Sequence, residues 1–359
     1  MKMNDSQSTG RIGTTTFERV GTEEITLPEL LDRAREIAYY SKDYSVNKAN
    51  SSNVYLNDKA GLSFTTDDGN TQSFPISRYA MGQLGSKMGV PASFIVNCID
   101  RGRLSLAQYN INELLSDYNR SLFIRTYKNR VRGILTNRYS ECDSHVILEL
   151  LCEIINPADF IIKGYFISEE RLHLRLAFRE TLPAVREDLF VAIIVDSSDV
   201  GRAMLTITFG IFKLVCTNGL IIPWNEGMLY KQKHIDIHPD EFFKGLHSSL
   251  QRIGDKAELT TKKILIAKDE EYWGHDIRRL IPDEEEEFVE HIRRITQLPK
   301  EGALKVLELM RSKYNGSRWG LINSITDVAH DYTLERRIEL ERFAGKLLFD
   351  NRIYRSRAR

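Results

Sequence analysis

Cysteine is scarce in this chain and never closely spaced: Cys98, Cys142, Cys152 and Cys216 are the four present. Without a C-x-x-C step, zinc-ribbon ligation is excluded and a disulfide framework is disfavoured, so reduced, buried thiols in a cytoplasm are expected. No apolar run reaches the roughly 18 residues that a membrane span requires, so no membrane partner is expected. Neither sign of charge is in excess, because Lys+Arg and Asp+Glu both total 50. That balance argues against coating nucleic acid by bulk charge, yet leaves room for a local basic patch offset by acidic segments elsewhere. Signature motifs are missing too. There is no G-x-x-x-x-G-K-[ST] loop, no G-x-G-x-x-G after a strand, no G-x-S-x-G elbow and no H-E-x-x-H pair. These gaps disfavour an ATP-driven machine or a common hydrolase, imply no cofactor, and lean the reading away from an enzyme.

What is present is a 359-residue chain, 42% hydrophobic and 28% charged, which is the composition of a soluble globular protein. Its polar start, residues 1–20, is expected to be a disordered lead-in without a signal core. A mainly helical part follows over residues 21–120. Leu27 to Tyr40 carries an apolar stripe behind the N-cap candidate Thr26 and Pro28. Val54–Leu56 and Leu62–Phe64 suit a short hairpin, and Tyr79 to Gly89 suits a helix stopped by Pro91. Further helices are expected over 92–98 and 107–118.

Residues 121–238 read as a sheet region built from three hairpins: 122–135 around Lys128-Asn129, 160–178 around Ser168-Glu169-Glu170, and 189–216 around Ser197 to Gly201. A helix opened by Asp143 lies between the first two. Residues 239–359 are helical, with one amphipathic stretch over 242–267 and an acidic helix start at Asp283 to Glu287. The fold class is therefore α+β: a central, mostly antiparallel sheet with flanking helices and a helical C-terminal half. No internal repeat or low-complexity segment is seen.

The clearest alternation runs from Arg171 to Arg179. Leu172, Leu174, Leu176 and Phe178 share one side, whereas Arg171, His173, Arg175 and Arg179 share the other, with Ala177 between. A period of two predicts a half-buried strand with a core face and a cationic face in water.

Four segments, read together, resemble the family named domain of unknown function 932. They are Met81-Gly82-Gln83-Leu84 followed by Gly89-Val90-Pro91, then Val131 to Tyr139, then Phe212 to Gly219, then Trp319 to Thr326. Lys213 departs from the pattern, where the family more often has Arg. The resemblance spans roughly residues 75–350. It implies phage, prophage or plasmid ancestry and no established chemistry.

Each candidate site has a plainer reading beside it. On the first hairpin, Arg125, Tyr127, Lys128, Arg130 and Arg132 supply cations and a ring, and Arg138 and Tyr139 follow; phosphate contacts and base stacking are one reading, a plugged core with local ion pairs the other. On the second hairpin, Arg171, His173, Arg175 and Arg179 either hold phosphates or simply solvate a strand face. Cys216-Thr217-Asn218-Gly219 is read as a structural turn. Asp196 and Asp199 look like turn chemistry. His234, Asp236 and His238 alternate and are weak candidates for a divalent metal. The basic tail from Arg352 to Arg359 suits a phosphate-binding arm or an assembly contact with an acidic neighbour.

The leading expectation is a non-enzymatic protein that binds nucleic acid, single-stranded in preference. It would act in the replication, recombination or annealing of a mobile element, in a host cytoplasm, and as a homo-oligomer. An interaction protein that inhibits a host defence factor is the alternative, and a metal-dependent enzyme is the third reading.

Overall fold

The computed structural model describes residues 25–350 apart from 157, 182–188, 214–218, 222–226, 236–238 and 274–275. The expected lead-in 1–20, the basic tail, Cys216 to Asn218, Asp236 and His238 lie outside the described residues.

Helix α1 (Leu27–Tyr39) starts where expected. The Thr26 side chain and Glu29 form a reciprocal capping box, Pro28 sits in the first turn, and Leu27, Leu30, Leu31 and Ala34 are buried. It leads into β1 (Ser41–Ala49), a strand the sequence concealed because only Val46 and Ala49 of its nine residues are buried. A three-stranded antiparallel meander follows: β2 (Val54–Leu56), β3 (Gly61–Thr65) and β4 (Thr71–Pro75). Then come α2 (Arg78–Lys87), α3 (Ala92–Asp100) and α4 (Leu104–Ser116).

Strands β5 (Arg120–Tyr127) and β6 (Arg130–Leu135) form the first expected hairpin. Lys128 and Asn129 both take positive φ, 47° and 60°, as a two-residue hairpin turn of the primed type demands. β5 also pairs with β1, giving a sheet in the order β1-β5-β6. That sheet, the meander and α2–α4 enclose one apolar core containing Leu62, Phe64, Leu84, Ile111, Ile124 and Ile134. The smaller core thus runs across residue 120, where the sequence placed a boundary.

After α5 (Ser144–Ile154), strands β7 (Phe160–Ile167), β8 (Leu172–Thr181), β9 (Leu189–Ser197), β10 (Leu205–Lys213), β11 (Gly219–Ile221) and β12 (Met228–Gln232) build a six-stranded antiparallel sheet. Its order is β7-β8-β9-β10, and β11 and β12 share the far edge of β10. The remaining chain is helical: α6 (Pro239–Gln251), α7 (Ile253–Asp269), a short 3₁₀ turn, α8 (Pro282–Thr296), α9 (Lys300–Ser312), α10 (Arg318–Ala329) and α11 (Leu334–Phe349). The stretch expected as one helix over 242–267 is two, divided at Arg252.

The fold is α+β with antiparallel sheets and a helical C-terminal half, as the patterning predicts. Among the described residues, no helix is long and apolar enough to cross a membrane. Both faces of the large sheet are covered. Leu172, Leu174 and Leu176 join the main core with α1, α5 and the C-terminal helices. On the opposite face, Phe166, Ala177, Phe190, Ala192, Ile194 and Phe212 pack against Leu334 and Ile338 of α11. Every residue of β9 is accordingly buried.

Candidate functional site

The expected cationic face in water does not exist on β8. His173 and Arg175 are 0% and 1% exposed, because α11 lies across that face. Arg175 donates to both carboxylate oxygens of Glu341, at 3.0 and 2.7 Å, and its Nε donates to His173 Nε2 at 2.8 Å. That last bond fixes the imidazole as the neutral Nδ1–H form, which faces Asp196 Oδ1 at 2.9 Å. Burial is the main force holding the His173 pKa down. Arg171 donates to Asp196 at 2.9 Å and faces Glu335 at 3.8 Å. Burial works against the Asp196 carboxylate, but His173, Arg171 and Arg342 overcome it and hold the group well below the usual range. Of the four cationic positions, Arg179 alone is exposed, near the end of β8.

Arg125 and Arg132 meet the same fate. The Arg125 guanidinium clamps Asp43 of β1 at 2.9 and 2.8 Å and Asp143 at 2.6 Å twice, and donates to the Asp199 carbonyl. Arg132 donates to the Glu169 carbonyl and lies 3.5 Å from Asp199 Oδ2. Asp143, committed to Arg125, makes no cap bond to α5. Asp199 takes that place, accepting from the Ser144 amide at 3.0 Å and hydroxyl at 2.8 Å. Burial, reinforced by Asp143, pushes Asp199 up to about 6. Tyr139 plugs this network: its hydroxyl accepts from Arg125 and donates to the Ser198 carbonyl, and its ring stacks on Phe123 and His234. Sequence reasoning missed every counter-ion, since Asp43, Asp143, Asp196, Asp199, Glu335 and Glu341 lie on other strands, turns and helices.

Tyr127, Lys128 and Arg130 come out differently. They form the tip of the β5–β6 hairpin, where Ser41 pairs with Tyr127 and the Lys128 amide donates to the Tyr40 carbonyl at 3.0 Å. This places the end of α1 beside the turn. The Lys128 ammonium sits 4.9 Å from the Tyr40 ring centre and 5.2 Å from that of Tyr127. Tyr39 meets Tyr40 edge-on at 5.0 Å and is 80% exposed. A hollow of about 190 Å³ joins Tyr127, Lys128 and Arg130 with Glu169. Arg138 is exposed too, but it follows β6 at the end remote from this tip.

A larger cleft, about 1020 Å³, lies between α2 and α3 on one side and Leu135–Thr136, Gly201–Met204 and Lys233–Ile235 on the other. His234 forms part of its wall. The ring lies 5.5 Å from Tyr139 at 12° between planes, and Nε2 is 3.2 Å from Ser197 Oγ. Burial holds its pKa down to about 4. Of the weak metal triplet only His234 is described, and no group of three or more His, Cys, Asp or Glu suited to a metal occurs among the described residues. Cys142 is buried, and its thiol is pushed up to about 12, mainly by burial, which disfavours the thiolate.

No protein-family model, curated protein or solved structure matches this chain.

Proposed function

We propose that this protein binds a single strand of nucleic acid at the β5–β6 tip, through Tyr39, Tyr40, Tyr127, Lys128 and Arg130. The carrying observation is the exposed Tyr39 ring set edge-on against Tyr40, whose own ring shares the Lys128 ammonium with Tyr127 at the hairpin tip. Aromatic faces with adjacent cations hold unpaired bases without sequence preference, at about 1–3 kcal/mol per stacked base. The resemblance to domain of unknown function 932 directs this reading toward replication, recombination or annealing on a mobile element.

Fluorescence anisotropy with a labelled oligothymidylate tests it. Tyr39→Ala and Tyr127→Ala are each expected to weaken binding by about 1–3 kcal/mol. Lys128→Gln is expected to reduce the slope of log affinity against log salt by roughly 0.7, the value for one phosphate of a single strand. Equal affinity in wild type and all three variants, or no binding by wild type at low salt, overturns the proposal.

A further inference from the structure

We propose that the 1020 Å³ cleft is a second site, independent of the tip, that takes a phosphate-bearing ligand of nucleotide size. Four of its twenty lining residues are Arg78, Lys87, Arg202 and Lys233, and none is Asp or Glu. Acids behind the lining match Arg78 and Arg202, so the positive excess that the cleft can focus lies with Lys87 and Lys233.

The cations are not equivalent. Arg78 reaches Asp100 at 3.1 Å and Arg202 reaches Glu170 at 2.7 Å, outside the cleft lining. Lys87 and Lys233 have no carboxylate partner among the described residues. Lys87 is half-buried at the end of α2, and burial lowers its pKa. An ammonium that is partly desolvated and lacks a counter-ion gains most from an arriving anion. Two further features act in the same direction. The first turn of α3, Ala92 and Ser93, lines the cleft, and no side chain caps that helix. Exposed first-turn amides favour phosphate. The buried His234 Nδ1 has no hydrogen-bond partner among the described residues, so the wall holds an unused polar atom.

Size and wall chemistry set the rest of the ligand. A phosphate or pyrophosphate alone would leave most of the volume empty, and Val96, Ile134, Leu135 and Met204 provide apolar wall suited to a planar base. Recognition is by side chains and the first turn of α3 rather than by a glycine-rich loop. A free nucleotide and the 5′-phosphorylated end of a strand present the same chemistry.

Isothermal titration of the full chain with ADP, UDP, adenosine, pyrophosphate, and a 5′-phosphorylated or 5′-hydroxyl oligothymidylate tests this. At least one of ADP and UDP is expected to bind about tenfold or more tighter than adenosine. Lys87→Met/Lys233→Gln is expected to weaken that nucleotide by about tenfold or more at unchanged melting temperature. Tyr39→Ala/Lys128→Gln should leave nucleotide binding intact, which separates this site from the tip. A preference for the 5′-phosphorylated strand that disappears in Lys87→Met/Lys233→Gln assigns the strand end as the source; no such preference assigns the free nucleotide. Absence of binding by ADP, UDP and pyrophosphate at about 1 mM, or equal binding in the cleft variant, overturns the inference.

Discussion

Arg175 and Glu341 lie 166 positions apart in the chain and meet as a two-pronged ion pair with both side chains almost wholly out of water. On the strand with the most cationic pattern in the sequence, Arg171, His173 and Arg175 are thus all tied into buried acid pairs, and Arg179 alone is exposed.

Removing one partner strands the other. Glu341→Gln is expected to lower unfolding stability by about 3–5 kcal/mol, because the Arg175 guanidinium stays buried with a neutral neighbour. Arg342→Gln, whose partly exposed side chain is 3.6 Å from Asp196, is expected to cost less than about 1 kcal/mol. Urea denaturation followed by circular dichroism measures both, and equal effects would contradict the burial argument. Arg171→Glu/Arg175→Glu should fail to fold, so it cannot report on a binding surface.

Acid should weaken the fold well above the range where ordinary carboxylates titrate. Burial holds His234, His291 and His330 down to about 4. The unfolded chain protonates them near 6.5, so their contribution is complete above that pH and is lost as pH falls toward 4. Asp199 acts in the opposite sense: raised to about 6, it contributes fully below about 3.8, and that contribution is lost as pH rises through 6. His173 is held down by burial as well and Glu170 is held up by it, so four imidazoles oppose two carboxyls and melting temperature should fall between pH 7 and pH 4. His291→Gln should flatten the fall. This imidazole faces the Tyr272 hydroxyl at 2.8 Å and accepts from Arg294 at 3.2 Å, both suited to its neutral form. A melting temperature constant over that interval would contradict the assignment.

Gly133 of β6 lies directly against Val200 of the β9–β10 turn. A Cβ there would stand 2.8 Å from Val200 Cγ1 and 2.9 Å from Val200 Cβ. Gln83 spans the same junction, donating to the Val200 carbonyl and accepting from the Ile134 amide, each at 2.8 Å. Gly133→Ala should cost about 1–3 kcal/mol by overpacking, and adding Val200→Ala should recover part of it. Thermal melts of the single and double variants decide the matter.

The sequence revealed elements better than neighbours. Leu172, Leu174 and Leu176 point into the main core as their spacing predicts, and the Lys128-Asn129 turn falls between its two strands. Alternation establishes that a strand has two unlike faces, but it is silent on what covers the second. The counter-ion for Arg175 comes from α11, at a sequence separation that no local window spans. β1 escaped notice because Lys42, Ser45, Asn47 and Lys48 are exposed and Asp43 turns its carboxylate to Arg125, leaving too few buried apolar positions to mark a period. The break at Arg252 is equally silent, since that residue keeps near-helical torsions, φ −87° and ψ −3°. Of the candidate site residues, Tyr127, Lys128 and Arg130 share the tip because a tight turn keeps neighbours together. The cleft draws on segments near 78–96, 134–139, 201–204 and 233–235 and has no signature in any one of them.

Because α11 supplies the acid that neutralises Arg175, the order of synthesis matters. A ribosome emits β8 more than 150 residues before Glu341 emerges. Until then the Arg175 guanidinium lacks its carboxylate, and the face of the sheet that Leu334 and Ile338 cover has no lid of its own.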